Sequence, residues 1–253
     1  IGGTAGRTTL NGEGLQHEDG HSLVLSGLIP NCISYDPTFA FEVAVVMQDG
    51  MRRMFQEQED VFYYITVMNE NYEHPEMPVG AEADIIKGLY LLRKGQVSDG
   101  KQSRPRVQLL GSGTIFREVI AAAEILKNDW GVDADLRGCP SFNELAREGN
   151  DVARWNLLNP TEKQKLSHVE NCLNDTRGPV IAATDYVRQY AELIRPFINR
   201  RYVTLGTDGF GRSDTREALR YFFEVDRHWV AISALKALAD DGTPFATSFN
   251  RHF

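Results

Sequence analysis

Residues Val107 to Leu126 read VQLLGSGTIFREVIAAAEIL. The run opens on a short apolar strand candidate, Val107–Leu110, and turns at Gly111-Ser112-Gly113. It continues with Ile115, Val119, Ala122 and Leu126 on one helical face. A strand that turns sharply into an amphipathic helix is the repeating unit of an α/β sheet. Gly111-Ser112-Gly113 lacks the third glycine and the lysine of a phosphate loop, so it reads as a tight turn.

The same pattern extends in both directions. Downstream, strands are expected at Gly131–Leu136, Val180–Ala183 and Tyr202–Leu205. Ser141 with Glu144 makes a capping box for a helix, and Asn143–Asp175 is polar and helical, more insertion than core. A helix follows at Tyr186–Arg195. Asp214 with Glu217 is expected to cap a helix through Phe223, and Asp226 one through Ala239. Upstream, Gly88–Leu92, Val61–Met68 and Cys32–Tyr35 are strand candidates. Asp36-Pro37 reads as N-cap and first residue of a helix that carries Val43, Met47, Met51 and Met54 on one side. Asn69–Gly80, with two prolines, reads as a linker at a composition break. Strand–helix alternation with short turns predicts a mostly parallel sheet covered by helices.

The 253 residues are 42% hydrophobic and 25% charged, enough for one large or two smaller α/β domains. A net charge of −8 argues against nucleic acid or an anionic membrane as partner, and no apolar run reaches membrane-span length. Cys32, Cys139 and Cys172 are few, odd in number and scattered, which fits a reducing cytoplasm. The opening IGGTAGRTTL reads like a strand end running into a loop, so the chain is expected to begin inside a domain.

Chemistry concentrates in Gly12–Ser22, GEGLQHEDGHS: three acidic side chains and two histidines among three glycines. Carboxylates near a histidine tune its charge, and the glycines let backbone turn or approach a ligand. His17-Glu18-Asp19-Gly20-His21 matches H-E-x-x-H, but that zinc motif needs a continuous helix, and Gly20 stands between the histidines. A solvated acidic loop is the plain alternative. The favoured reading is a substrate-facing loop with His17 as acid, base or hydrogen-bond donor.

Gly206–Gly211, GTDGFG, has the order G-x-x-G-x-G and no complete nucleotide-binding unit after it; it reads as a strand-to-helix turn. Ser213 would need a histidine base, and His228 is the nearest candidate in sequence. Tyr63, Tyr64, Phe222, Phe223 and Trp229 read as core or interface aromatics, and His74, His168 and His252 as surface residues.

GRTTLNGEGLQHEDGHS, IPNCISYDP, YYITVMNENYEHP, LLGSGTIFREV and LGTDGFGRSDTREALRYFFEVD resemble the pyruvate dehydrogenase components of bacterial pyruvate dehydrogenase complexes, of the homodimeric type. Similarity runs from about Gly2 to Leu238. The resemblance implies a transketolase-like enzyme that depends on thiamine diphosphate and magnesium. It implies that residues 1–80 are the end of the pyrimidine-binding domain. Residues 81–253 would be a transketolase C-terminal-like α/β domain with one antiparallel strand. The implied reaction decarboxylates pyruvate and passes the two-carbon unit to a lipoyl group of the acyltransferase component. The implied partners are that component and a second copy of the subunit.

His17 falls on that family's active-site histidine, with Gln16, Glu18, Asp19 and His21 as substrate-channel candidates. No G-D-G followed by N-N is present, so no residue is assigned to cofactor or metal, and the chain by itself is expected to be inactive. The alternative is a non-catalytic dimerisation or scaffold piece of the same enzyme.

Overall fold

A computed structural model describes residues 5–96 and 104–243. Of the strand end and loop expected over residues 1–10, residues 1–4 lie outside the described residues, as does His252, and residues 5–10 carry no strand. The elements are, in order, α1 (Ser22–Gly27), β1 (Cys32–Tyr35), α2 (Ala40–Met51), β2 (Phe62–Ile65), α3 (Glu82–Lys87), β3 (Tyr90–Arg93), β4 (Arg106–Gly111), α4 (Ile115–Trp130), β5 (Asp133–Gly138), α5 (Phe142–Leu158), α6 (His168–Leu173), β6 (Val180–Ala183), α7 (Arg188–Glu192), β7 (Tyr202–Leu205), α8 (Arg216–Phe222) and α9 (Arg227–Asp240).

β1 and β2 pair in parallel as a two-stranded sheet. The larger sheet has the order β3-β5-β4-β6-β7, parallel throughout except for β3, which runs antiparallel to β5 at the edge. Alternation along the strands divides the core around the large sheet in two. Val107, Leu109, Leu136, Ile181 and Ala183 pack with α4 and α9 on one face. Leu110, Val180, Ala182 and Tyr202 pack with Phe142, Leu145, Val169 and Tyr190 on the other. Helices on both faces explain why β6 reads as a continuous apolar run.

The strand-to-helix reading of Val107–Leu126 holds. Gly113 sits at φ +51°, where a side chain would be strained and would strike the Asp36 carboxylate. α4 ends at Gly131, φ +63°.

Several local expectations fail for identifiable reasons. α2 starts at Ala40, not at Asp36-Pro37. Its end is capped by Glu42, whose Oε2 accepts from the Phe39 N–H at 2.7 Å and from that of Thr38. The buried side of α2 carries Glu42, Val46 and Asp49, while Met47 and Met51 are exposed. β2 stops at Ile65, three residues short of the predicted strand. Residues 69–78 carry no helix or strand, as a linker would, yet they are pinned as a strap. Glu70 pairs with Arg117 at 2.5 Å and with Arg220, and the Tyr72 ring lies 4.4 Å from the Arg117 guanidinium.

α5 and α6 are core elements rather than an insertion, because Phe142, Leu145, Val169 and Leu173 are buried. His168 is buried too, with Nε2 2.8 Å from the Leu89 carbonyl. Ser141 does cap α5, accepting from Glu144 N–H at 3.1 Å. Asp226 caps α9 through the N–H groups of His228 and Trp229. The cap of α8, however, is Thr215, which accepts from Ala218 N–H, and not Asp214.

Candidate active site

The carboxyl ends of parallel strands are where α/β sheets take ligands, above all where strand order reverses. Here that point lies between β4 and β6, and the chain fills it with its own polar side chains. Asp185, just after β6, is fully buried. Its Oδ1 accepts from the Thr8 N–H at 2.9 Å and Thr8 Oγ1 at 2.6 Å, and its Oδ2 from Thr9 Oγ1 at 2.7 Å. Thr9 Oγ1 also lies 2.6 Å from Thr114 Oγ1, on the turn into α4. Gly6, at φ +88°, lets the segment wrap this carboxylate; a side chain there would collide with it.

Asp36, after β1, completes the seam between the two sheets. It is fully buried and accepts from Ser112 Oγ and from Thr66 Oγ1, each at 2.7 Å. Burial pushes its carboxyl up to about 7, against the pull of those two hydroxyls.

Thr8 and Thr9 fix Arg7 between them and Gly6. Arg7 is 2% exposed, and its Nη1 donates to the carbonyls of Thr207 and, at 2.6 Å, of Gly209. Burial lowers its pKa, an effect the Asp185 carboxylate opposes. The guanidinium lies against the Cα of Gly20, where any side chain would strike it. The loop after β7 is therefore no tight strand-to-helix turn. Ten residues separate β7 from α8, and the loop clasps Arg7 from the far end of the sequence.

The candidate residues hang from this clasp. Leu15–His17 form one turn of 3-10 helix, and Gln16 and His17 are both exposed; Gln16 folds back over Gly14. Glu18 turns the other way. It is buried against the Cα of Gly211, with neither carboxylate oxygen at hydrogen-bond geometry to a partner. Burial raises its pKa, while the Arg212 N–H and the Arg7 charge oppose the rise. Asp19, two residues before the N-cap His21, ties down the start of α1: its Oδ1 accepts from the N–H of His21 at 2.9 Å and of Ser22 at 3.0 Å, and Ser22 Oγ donates to its Oδ2. His21 is exposed, with Nδ1 3.4 Å from Arg7 Nη2.

The five candidates therefore diverge in role. His17 and Gln16 face outward, Glu18 and Asp19 hold the loop from beneath, and His21 leans on Arg7. H-E-x-x-H fails as a zinc motif because no helix spans it; its two histidines sit on either side of the break at Glu18–Gly20. Ser213 and His228 are not hydrogen-bonded to each other: His228 Nδ1 lies 3.8 Å from Asp226 Oδ2, on α9. Arg7, Asp36 and Asp185 are absent from the sequence-based candidates. Asp185 had a readable sign in its place directly after an apolar strand.

Two family profiles match the chain. The pyruvate dehydrogenase E1 component middle domain covers residues 1–75, and the transketolase-like TK C-terminal domain covers residues 88–226. The chain belongs to the transketolase-like TK C-terminal domain family. The resemblance to pyruvate dehydrogenase components holds over nearly all of it. It is 73% identical to the pyruvate dehydrogenase E1 component of Cupriavidus necator over 96% of the chain, and 55% identical to that of Escherichia coli K12 over 96%. In each case it spans 27% of the relative's length.

Among solved structures, transketolase from Campylobacter jejuni superposes with a TM-score of 0.63 over 92% of the chain and 30% of its own. Transketolase from Pichia stipitis superposes with 0.61 over 93% of the chain and 29% of its own. Both are 16% identical, so they speak to fold: this family member has the transketolase-like α/β architecture.

Proposed function

We propose that the chain is part of a thiamine diphosphate- and magnesium-dependent pyruvate dehydrogenase. The whole enzyme would decarboxylate pyruvate and pass the acetyl unit to a lipoyl group of an acyltransferase component. A second copy of the subunit would complete it, in the cytoplasm. Support comes from the identity to E1 components and from three free cysteines. No described helix is long and apolar enough to cross a membrane. The domain boundary is proposed near residue 80, between the two profile matches.

The cofactor's main anchors would lie outside the described residues. No three of their His, Cys, Asp or Glu side chains converge as metal ligands, and the crevice between β4 and β6 is occupied by Thr8, Thr9 and Asp36.

The reading rests on the posture of His17. Its imidazole is exposed, while the neighbouring Glu18 is buried and Asp19 is tied to the start of α1. Such a side chain can give a proton or hydrogen bond to a substrate oxygen without disturbing the fold. In the whole enzyme His17→Ala is expected to lower turnover roughly 10²-fold or more, and His21→Ala clearly less. Steady-state kinetics with pyruvate and a lipoyl acceptor tests this; equal effects, or a wild-type rate for His17→Ala, would remove His17 from the site.

A further inference from the structure

A cleft of about 370 Å³ opens on the α5–α6 face of the large sheet, where Leu91, Arg106, Arg137, Cys172 and Thr176 line it. It borders β5, three strands across the sheet from β7 and the loop that clasps Arg7. Along β5, Asp133, Asp135 and Arg137 all turn to this face, and all are buried. Such positions in a covered strand are normally apolar.

Asp135 and Asp175 also line the cleft, and the Asp84 charge acts on Arg137, yet none of the three pairs with it among the described residues. Asp135 is fully engaged elsewhere: its Oδ1 accepts from Arg106 Nη1 at 2.5 Å and from Gly95 N–H at 2.8 Å, and its Oδ2 from Gln108 Nε2 at 2.6 Å. Asp133 lies 4.0 Å from Arg106. Arg137 is only 7% exposed, yet it makes no ion pair among the described residues. Among the described residues its one hydrogen bond is a long one, from Nε to Gln108 Oε1 at 3.4 Å. A buried guanidinium without an anion is costly, and its planar fork is shaped for the two oxygens of a carboxylate or phosphate. The cleft's volume lies at the lower end of small-molecule sites.

We infer that this cleft is a binding site for a small oxyanion, a carboxylate- or phosphate-bearing metabolite held by the Arg137 fork, with Lys94 and Arg106 at its rim. The site is independent of the proposed chemistry at His17.

The test is thermal unfolding of the full-length enzyme in sodium phosphate, or in sodium acetate, titrated against sodium chloride at equal ionic strength. The expected result is a saturable rise in Tm with at least one of the two oxyanions. The anion that produces it identifies the ligand as phosphate- or carboxylate-bearing. Arg137→Met should fold, because an apolar residue replaces an unpaired buried charge, and its saturable rise should vanish. Arg137→Lys keeps the charge without the fork, and should bind about tenfold more weakly; it serves if Arg137→Met does not fold. No saturable rise with either anion, or an undiminished one in Arg137→Met or Arg137→Lys, overturns the inference.

Discussion

Nη1 of Arg7 lies 2.6 Å from the carbonyl oxygen of Gly209, a residue 202 positions away in the sequence. One side chain thus fixes the loop after β7 to the segment that precedes the histidine loop. Glu18 is in turn seated under the same β7 loop at Gly211. The geometry of His17 is set from both ends of the chain.

Arg7→Leu should therefore be expensive. It leaves the carbonyls of Thr207 and Gly209 without their charged donor, a loss of about 2–4 kcal/mol on the scale of buried, charge-assisted hydrogen bonds. Gly20→Ala should cost about 1–3 kcal/mol by forcing the guanidinium off its seat. In an Arg7→Ala background the same Gly20→Ala change should be nearly neutral, because the side chain it would strike is gone. Urea unfolding of the four proteins in this cycle measures the coupling, and additive effects would refute the contact.

The start of α8 separates two neighbouring residues. Thr215→Ala should cost on the order of 1 kcal/mol through the lost cap, and Asp214→Ala only a few tenths. Equal losses in chemical denaturation would return the cap to Asp214.

Asp19→Ala should destabilise by about 1 kcal/mol, because two N–H groups at the start of α1 lose their acceptor. It should also loosen His21, whose N–H it accepts. Faster amide exchange at His21 and Ser22, with exchange in α4 unchanged, is the expected signature.

Asp36 gives a pH signature. Its folded-state pKa is raised to about 7, so the folded protein holds a proton that the unfolded chain has already lost. That contribution is fully present below the ordinary Asp range near 4 and is lost as pH rises to about 7. Asp36→Asn stays neutral, and its Oδ1 can still accept from Ser112 or Thr66 while the other hydroxyl turns to accept from the amide. Wild-type stability relative to Asp36→Asn should fall between about pH 4 and pH 7, then level off. A pH-independent difference would show that Asp36 is ionised in the fold throughout.

The sequence carried the alternation of strands and helices well, because apolar periodicity reports burial directly, as at β4, α4 and β6. At β5 that period breaks, because Asp133, Asp135 and Arg137 are polar at buried positions. Asp36 misled for a related reason. Asp before Pro looks like a helix cap, but tertiary contacts with Ser112 and Thr66 claim its carboxylate, and Glu42 caps the helix instead. His17 was legible because exposed chemistry leaves a local signature of glycine and charge. Arg7 was not, since its partners at Thr207 and Gly209 are remote and are backbone carbonyls, to which any residue type could contribute.

The grip of Asp185 on Thr8 spans 177 positions, and its consequence is kinetic. Contacts of such separation form only after the intervening chain has been ordered, since loop closure comes at an entropic cost before any gain. The large sheet assembles from pairings of shorter separation, the widest between Gln108 and Val180, and the segment around Thr8 and Thr9 then docks onto a finished crevice. Weakening that dock, as in Thr8→Val, should speed unfolding and leave the refolding rate nearly untouched. The histidine loop would then be the last part of this fold to arrive and the first to leave.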